Sequence, residues 1–227
     1  MISRITNRLF WEVRQLPVIR QSLAKSEVAA WLASGKVGAT PHCVKQANLR
    51  RLARQLEVLT LVETGTFRAD MMCAMRNSFA ELYSIELSEQ LYEYSKTRCK
   101  TFGNIHLLHG DSAVQLPLIC GKLQGRALFW LDGHYSGGDT ALGDVVSPII
   151  GELNAIRSFQ QIEPIIVIDD ARLFAVGTGY PTLSQLFDCV AESGESFFSI
   201  SIHDDAIVCI PRHLLLRINS SAGQQAI

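Results

Sequence analysis

From residue 57 onward, short apolar runs alternate with longer stretches in which apolar positions recur at helical spacing. The runs at 58–63, 82–86, 105–109, 127–132, 165–169, 197–202 and 206–210 predict strands. The stretches at 69–80, 88–101, 112–123, 142–160 and 182–193 predict the helices between them. The first five strand candidates are apolar nearly throughout, as expected of parallel strands covered on both faces. Regular strand–helix alternation implies right-handed crossovers and a doubly wound, mostly parallel α/β sheet. Only "HDD" separates the last two runs, too short for a parallel crossover, so these two form a C-terminal antiparallel β-hairpin.

The first 56 residues differ. They mix arginines with Leu, Ile, Phe and Trp at roughly helical spacing, interrupted by Pro17 and by the segment from Gly35 to Gly38. A second helical stretch, "CVKQANLRRLARQLEV", follows Pro41. The division expected is a helical appendage over 1–56, a main domain over 57–218 and a flexible polar tail over 219–227. Arg4, Arg8, Arg14 and Arg20 suit either an anionic membrane surface or a helical cap on the main domain or a partner subunit. The cap is the expectation, with a homodimer through these helices as the partner arrangement it allows.

Composition narrows the function classes. A formal net charge of -1 and a pI near 6.6 give no electrostatic case for a nucleic-acid partner. The six cysteines show no C-x-x-C spacing and no Cys/His cluster, which suits free thiols in a reducing compartment. There is no apolar run near the ~20 residues of a membrane span and no signal-peptide order at the N-terminus. A cytoplasmic location is the expectation.

The strand ends carry the candidate chemistry. In a doubly wound sheet ligands bind beyond the carboxyl ends of the strands. Those ends read Glu63-Thr64-Gly65, Glu86, Asp111, Asp132 and Asp169-Asp170, a carboxylate at every one. In "LVETGTFRAD", Gly65 lets the backbone pass close to a ligand, and Thr66 leads into a helix N-terminus with free N–H groups. The absence of G-x-G-x-x-G removes the main support for a nicotinamide or flavin. Glu86 is placed to accept both hydroxyls of a ribose, the role of the acid ~20 residues on in dinucleotide folds. Asp111 can accept from an adenine amino group, with Ser112 at the helix start; the other reading of Asp111 is an ordinary N-cap. Asp132 and the Asp169-Asp170 pair end two strands expected to be neighbours. Three carboxylates converging there would repel without a cation, and an all-oxygen set suits Mg²⁺, with Mn²⁺ and Ca²⁺ as alternatives. The competing reading makes Asp169 a turn cap and pairs Asp170 with Arg172.

"ETGTFRAD" resembles the first motif of cation-dependent O-methyltransferases. Together with "PHCVKQ", "YSIELS", "HGDS", "FWLDGHYSGGDT" and "VIDDARLF", it is especially similar to macrocin-type sugar O-methyltransferases, in a bacterial branch with the "DGHYSGG" signature. The likeness runs over roughly 41–181. It implies a class I, Rossmann-like fold and S-adenosylmethionine, with Gly65 near its methionine part, Glu86 on the ribose and Asp111 near the adenine. It also implies Mg²⁺ on Asp132, Asp169 and Asp170. One departure stands out: Ala69 occupies a position where the family usually has glycine.

The expected activity is methyl transfer to a hydroxyl of a small molecule or glycan acceptor. His134, two residues past Asp132, is the candidate general base, because its unperturbed pKa suits proton removal near neutrality; the other reading is a histidine that binds the acceptor or supports the acid trio. Tyr135, Ser136 and the Gly137-Gly138 pair would shape or close over the acceptor. Arg172 either meets an acidic acceptor or pairs with Asp170. The alternative function is a non-catalytic protein that keeps the methyltransferase fold as a binding scaffold.

Overall fold

The computed structural model describes residues 17–132, 148–191 and 197–215, with side chains from 21 onward in the first segment. The chain divides into two compact units, 1–48 and 49–227. The first holds helix α1 (Pro17–Ala33) and the opening turns of α2 (His42–Gln55), whose remainder belongs to the second unit. In the first unit the chain leaves α1 through Gly35 and Gly38, both at positive φ, and Trp31 is buried. No helix among the described residues is long and apolar enough to cross a membrane.

The second unit is built on strands β1 (Thr60–Thr64), β2 (Glu81–Glu86), β3 (Ile105–His109), β4 (Gly125–Leu131), β5 (Ile162–Ile168), β6 (Phe198–His203) and β7 (Ala206–Pro211). Between them lie α3 (Asp70–Met75), α4 (Glu89–Cys99), α5 (Ser112–Cys120), α6 (Ile149–Arg157), a 3-10 turn (Ala171–Leu173) and α7 (Leu183–Ala191). The strands form one sheet in the order β3-β2-β1-β4-β5-β7-β6. The first five are mutually parallel, while β7 runs antiparallel to both β5 and β6. The doubly wound, seven-stranded sheet with its terminal hairpin is therefore as expected.

The unbroken apolar character of the central strands has a direct structural cause. Val62, Phe129, Leu131, Ile166 and Ile168 enter one core with Leu116 and Ile119 of α5 and Leu153 and Ile156 of α6. Their neighbours Leu61, Leu128, Trp130, Ile165 and Val167 enter a second core with Leu49 and Ala53 of α2 and Met72 and Met75 of α3. Side chains alternate across a strand, so a sheet covered on both faces favours apolar residues at every position and admits polar ones where they are hydrogen-bonded, as Ser84 of β2 is to Glu63 of β1. The edge strands differ: β3 is half-buried or exposed throughout, and β6 is so except at Phe198.

The hairpin turn is tight. His203 pairs with Ala206, leaving Asp204 and Asp205 as a two-residue loop, both at positive φ (47° and 59°). That is the conformation of a type I′ turn, whose twist matches the flanking strands and which aspartate tolerates better than most residues. Helix α3 is shorter than expected, ending at Met75, and α6 begins at Ile149; the expected helical residues 142–147 lie outside the described residues. So do the tail 219–227 and Arg4, Arg8 and Arg14.

Candidate active site

The parallel strands end together, and each terminal acid is held by its own local geometry. At the end of β1, Glu63 is 3% exposed and accepts from the Ser84 hydroxyl of β2 at 2.5 Å; Ser84 in turn shares a 2.6 Å hydrogen bond with Thr66. Burial pushes the Glu63 carboxyl well above the usual carboxylate range; Ser84 opposes this, while Asp132, Glu86 and Asp70 add repulsion. Gly65 takes φ 84° as the chain turns, and the N–H groups of Gly65 and Thr66 both donate to the Ile85 carbonyl, pinning the turn to β2.

Glu86 closes the same turn from the other side. Its Oε2 accepts from the Phe67 N–H at 2.7 Å and its Oε1 from the Ser88 N–H at 2.9 Å. Burial raises its pKa, and these backbone donors partly offset the rise. Each oxygen keeps a second lone pair, so the carboxylate can still receive hydroxyl donors. Phe67 (φ 49°) and Ala69 (φ 58°) are both in the left-handed region. Ala69, with no exposed surface, therefore stands at a backbone conformation that favours glycine, which explains why glycine would be the ordinary occupant.

Asp111 is the N-cap of α5, its Oδ1 accepting from the Ala113 N–H at 2.8 Å. The capping reading is thus realised, and the carboxylate lies at the same end of the sheet as Glu86, with Gly110 at φ 135° between β3 and the helix. Ser112 opens α5. Close to Ser112 is a residue the sequence pattern did not single out, Glu152 in the first turn of α6. It is 1% exposed, and burial raises its pKa to about 7 against the partial opposition of the Ser112 and Thr64 hydroxyls. Those hydroxyls approach without completing the network. Glu152 Oε1 and Thr64 Oγ1 are both buried and have no hydrogen-bond partner among the described residues. A buried acceptor of this kind calls for a donor from water or a ligand.

The acids of β4 and β5 converge as their strand order requires. Asp132, Asp169 and Asp170 can each offer a carboxylate oxygen such that all three lie within 4.8 Å of one another. Asp169 and Asp170 are buried at 3% and 7% exposure, and Asp132 is half-buried. The donor set fits a hard divalent cation: three carboxylates on adjacent strands, with no nitrogen or sulfur ligand among them.

Asp170 sits at φ 55°, which turns the chain sharply from β5 into the 3-10 turn. Arg172 pairs with Asp170 at 2.8 Å and also with Asp205 of the hairpin loop. Asp205 further accepts from the Arg172 N–H at 2.9 Å, and its own carbonyl accepts from the Ala171 N–H at 2.8 Å. The β6–β7 hairpin thereby braces the acid-bearing turn. Of the two roles weighed for Arg172, the pairing with Asp170 is the one in place. Tyr180, on the loop after the 3-10 turn, stacks edge-on against Phe174 at 5.6 Å. Burial and the negative charges of Asp170 and Asp132 raise its pKa, with Arg172 opposing.

His134 and Tyr135, with the Gly137-Gly138 pair, lie outside the described residues. Glu152, Asp205 and Tyr180 had no distinguishing sequence signal: a first-turn glutamate, a hairpin aspartate and a loop tyrosine each have common structural roles.

No family model matches the chain, and no curated protein matches it. Among solved structures it is similar to an O-methyltransferase from Bacillus cereus in complex with S-adenosylhomocysteine, at TM-score 0.58 and 10% identity over 89% of this chain and 96% of that one. It is also similar to an S-adenosylhomocysteine-bound methyltransferase from Podospora anserina, at TM-score 0.55 and 15% identity over 92% and 96% of the two chains. At such identities the likeness establishes architecture: this chain has the α/β, Rossmann-like fold of class I methyltransferases, closed by an antiparallel hairpin.

Proposed function

We propose that the protein is an S-adenosylmethionine-dependent, divalent-cation-dependent O-methyltransferase acting on a hydroxyl of a small molecule or sugar. The observation that carries this reading is the convergence of Asp132, Asp169 and Asp170 beside the Gly65 turn and Glu86, at one end of one sheet. A fold with only a cofactor pocket has no need of a second, tightly grouped set of acids.

The cofactor, when bound, supplies an electrophilic methyl group on sulfur. The cation, when bound, supplies positive charge that makes a nearby hydroxyl more acidic. The chain contributes the rest. Glu86 accepts the ribose hydroxyls through the lone pairs that Phe67 and Ser88 leave open. Glu63, Gly65 and Thr66 shape the methionine side of the pocket, and Asp111 with Ser112 borders the adenine. The unpartnered Oε1 of Glu152 receives an amino donor of the cofactor or a water that relays to it. Asp132, Asp169 and Asp170 hold the cation, with Arg172 and Asp205 fixing the orientation of Asp170. His134 removes the acceptor proton, while Tyr135 and Tyr180 contact the acceptor. Holding acceptor and methyl donor in register accounts for most of the acceleration.

The test is methyl transfer from S-adenosylmethionine to a panel of hydroxylated acceptors. Turnover is expected to be lost in EDTA, restored by Mg²⁺, and lost in Asp169→Asn with S-adenosylhomocysteine binding retained. Metal-independent turnover on an identified acceptor would overturn the cation half of the proposal.

A further inference from the structure

Cys73 of α3 and Cys99, the last residue of α4, come from separate helices yet place their Sγ atoms 3.8 Å apart. The remaining four cysteines have no such partner among the described residues. Both thiols are in the core on the α3 side of the sheet, Cys73 at 8% exposure and Cys99 at 4%. A disulfide requires an S–S separation of ~2.0 Å, so closing the bond needs a relative movement of about 2 Å, within the reach of rotamer changes and a small helix shift.

We propose that Cys73 and Cys99 form a thiol–disulfide site, oxidised by small peroxides, whose closure acts on the adjoining turn at 65–69. The chemistry of the pair supports the direction of attack. The hydrogen bond with Cys99 lowers the Cys73 pKa, Arg98 and Arg76 add to the lowering, and burial and Asp70 oppose it. Cys99 moves the opposite way, raised by the same hydrogen bond and by burial. Cys73 is also the more exposed of the two and feels the positive charges of both Arg98 and Arg76, so it is assigned the attacking role and Cys99 the resolving one. The Cys73 thiolate attacks peroxide oxygen, giving a sulfenic acid and hydroxide. The Cys99 sulfur then attacks the sulfenic sulfur. The S–S bond forms, the S–O bond breaks, and the departing hydroxide takes the Cys99 proton as water. Two thiols and one peroxide give one disulfide and two waters.

The coupling to the turn follows from what α4 holds. Ser95 donates to the Phe67 carbonyl at 2.9 Å, and Arg98 donates to the Arg68 carbonyl and pairs with Asp70 at 2.8 Å. Cys99 directly follows Arg98, so drawing its sulfur toward α3 displaces the side chains that fix the turn. The backbone there is already in the left-handed region at Phe67 and Ala69, leaving little slack.

The test uses the full chain, exposed to hydrogen peroxide, quenched with an alkylating agent under denaturing conditions and mapped by peptide mass. A reducible Cys73–Cys99 crosslink is expected while Cys120 and Cys209 stay alkylatable. In Cys99→Ser the crosslink disappears and a dimedone adduct appears on Cys73. Amide exchange over 65–70 is expected to change on oxidation of the wild type and not of Cys73→Ser. If Cys73 and Cys99 are both alkylated at a peroxide dose that oxidises half-buried Cys43, the site is refuted. A crosslink with unchanged exchange over 65–70 refutes the coupling. Because the mapping is made on wild-type protein, it does not depend on either variant folding, nor on the methyltransferase reading.

Discussion

At the scale of single residues, the candidate site is marked by conformations and burials that ordinary folding would avoid. Ala69 pays a left-handed backbone penalty of roughly 1–2 kcal/mol that glycine would not. Replacing it also removes a fully buried methyl, which offsets about 0.8 kcal/mol of the gain. Ala69→Gly is therefore expected to leave stability unchanged or raise the melting temperature by up to about 4 °C, read by thermal denaturation. Glu152 makes a sharper prediction. Its folded pKa of about 7 lies above the ordinary value of 4.5, so the native state binds more protons than the unfolded state between these values. Stability associated with this group is full below that window and lost as pH rises through it, by an amount on the order of 3 kcal/mol. In metal-free protein, Glu152→Gln is expected to be the more stable form at about pH 8 and to show a shallower decline between about pH 5 and pH 8. Parallel profiles for the two proteins would contradict the assigned burial. Glu152 was illegible in the sequence because a glutamate in the first turn of a helix is favoured by the helix dipole alone. Only the packing of α6 against the ends of β1 and α5 gives it another meaning.

Among elements, the strand ends were the most legible part of the molecule, because a buried parallel strand must be apolar and its polar terminus is then conspicuous. The acids at 63, 86, 132, 169 and 170 fall where that logic puts them, Asp111 caps the helix that follows the edge strand β3, and β4 and β5 are neighbours as expected. Less legible was the work of the C-terminal hairpin. The "HDD" segment announced a tight turn, yet nothing in its spacing said that Asp205 would reach back to Arg172 and the Ala171 N–H. This link joins two elements distant in sequence, and such contacts carry no local pattern. It predicts that Asp205→Ala loosens the turn that carries Asp170 and weakens Mg²⁺ binding in calorimetry. S-adenosylhomocysteine affinity should be unaffected, since Glu63 and Glu86 lie on β1 and β2 and Asp111 caps α5, away from the hairpin. A loss of stability of about 1–3 kcal/mol is expected from the hydrogen bonds removed, one of them to a charged group. Equal Mg²⁺ affinity in the two proteins would mean that Asp170 is held without the hairpin.

For the whole molecule, the sheet order places two groups of candidate residues side by side at one end. The proposed cofactor residues follow β1, β2 and β3, and the acid trio proposed for the cation follows β4 and β5, with β1 and β4 paired at the boundary. Because the two groups share no residue, they are expected to load separately: S-adenosylhomocysteine binds without metal, and the acid trio can be disabled without emptying the proposed cofactor side. The most direct measurement is a calorimetric titration of S-adenosylhomocysteine into the metal-free protein, repeated on Glu86→Ala and Asp169→Asn. One site per chain is expected in the wild type and in Asp169→Asn, with binding lost or strongly weakened in Glu86→Ala. Absence of binding to the wild-type protein, with and without Mg²⁺, would contradict the account at its centre.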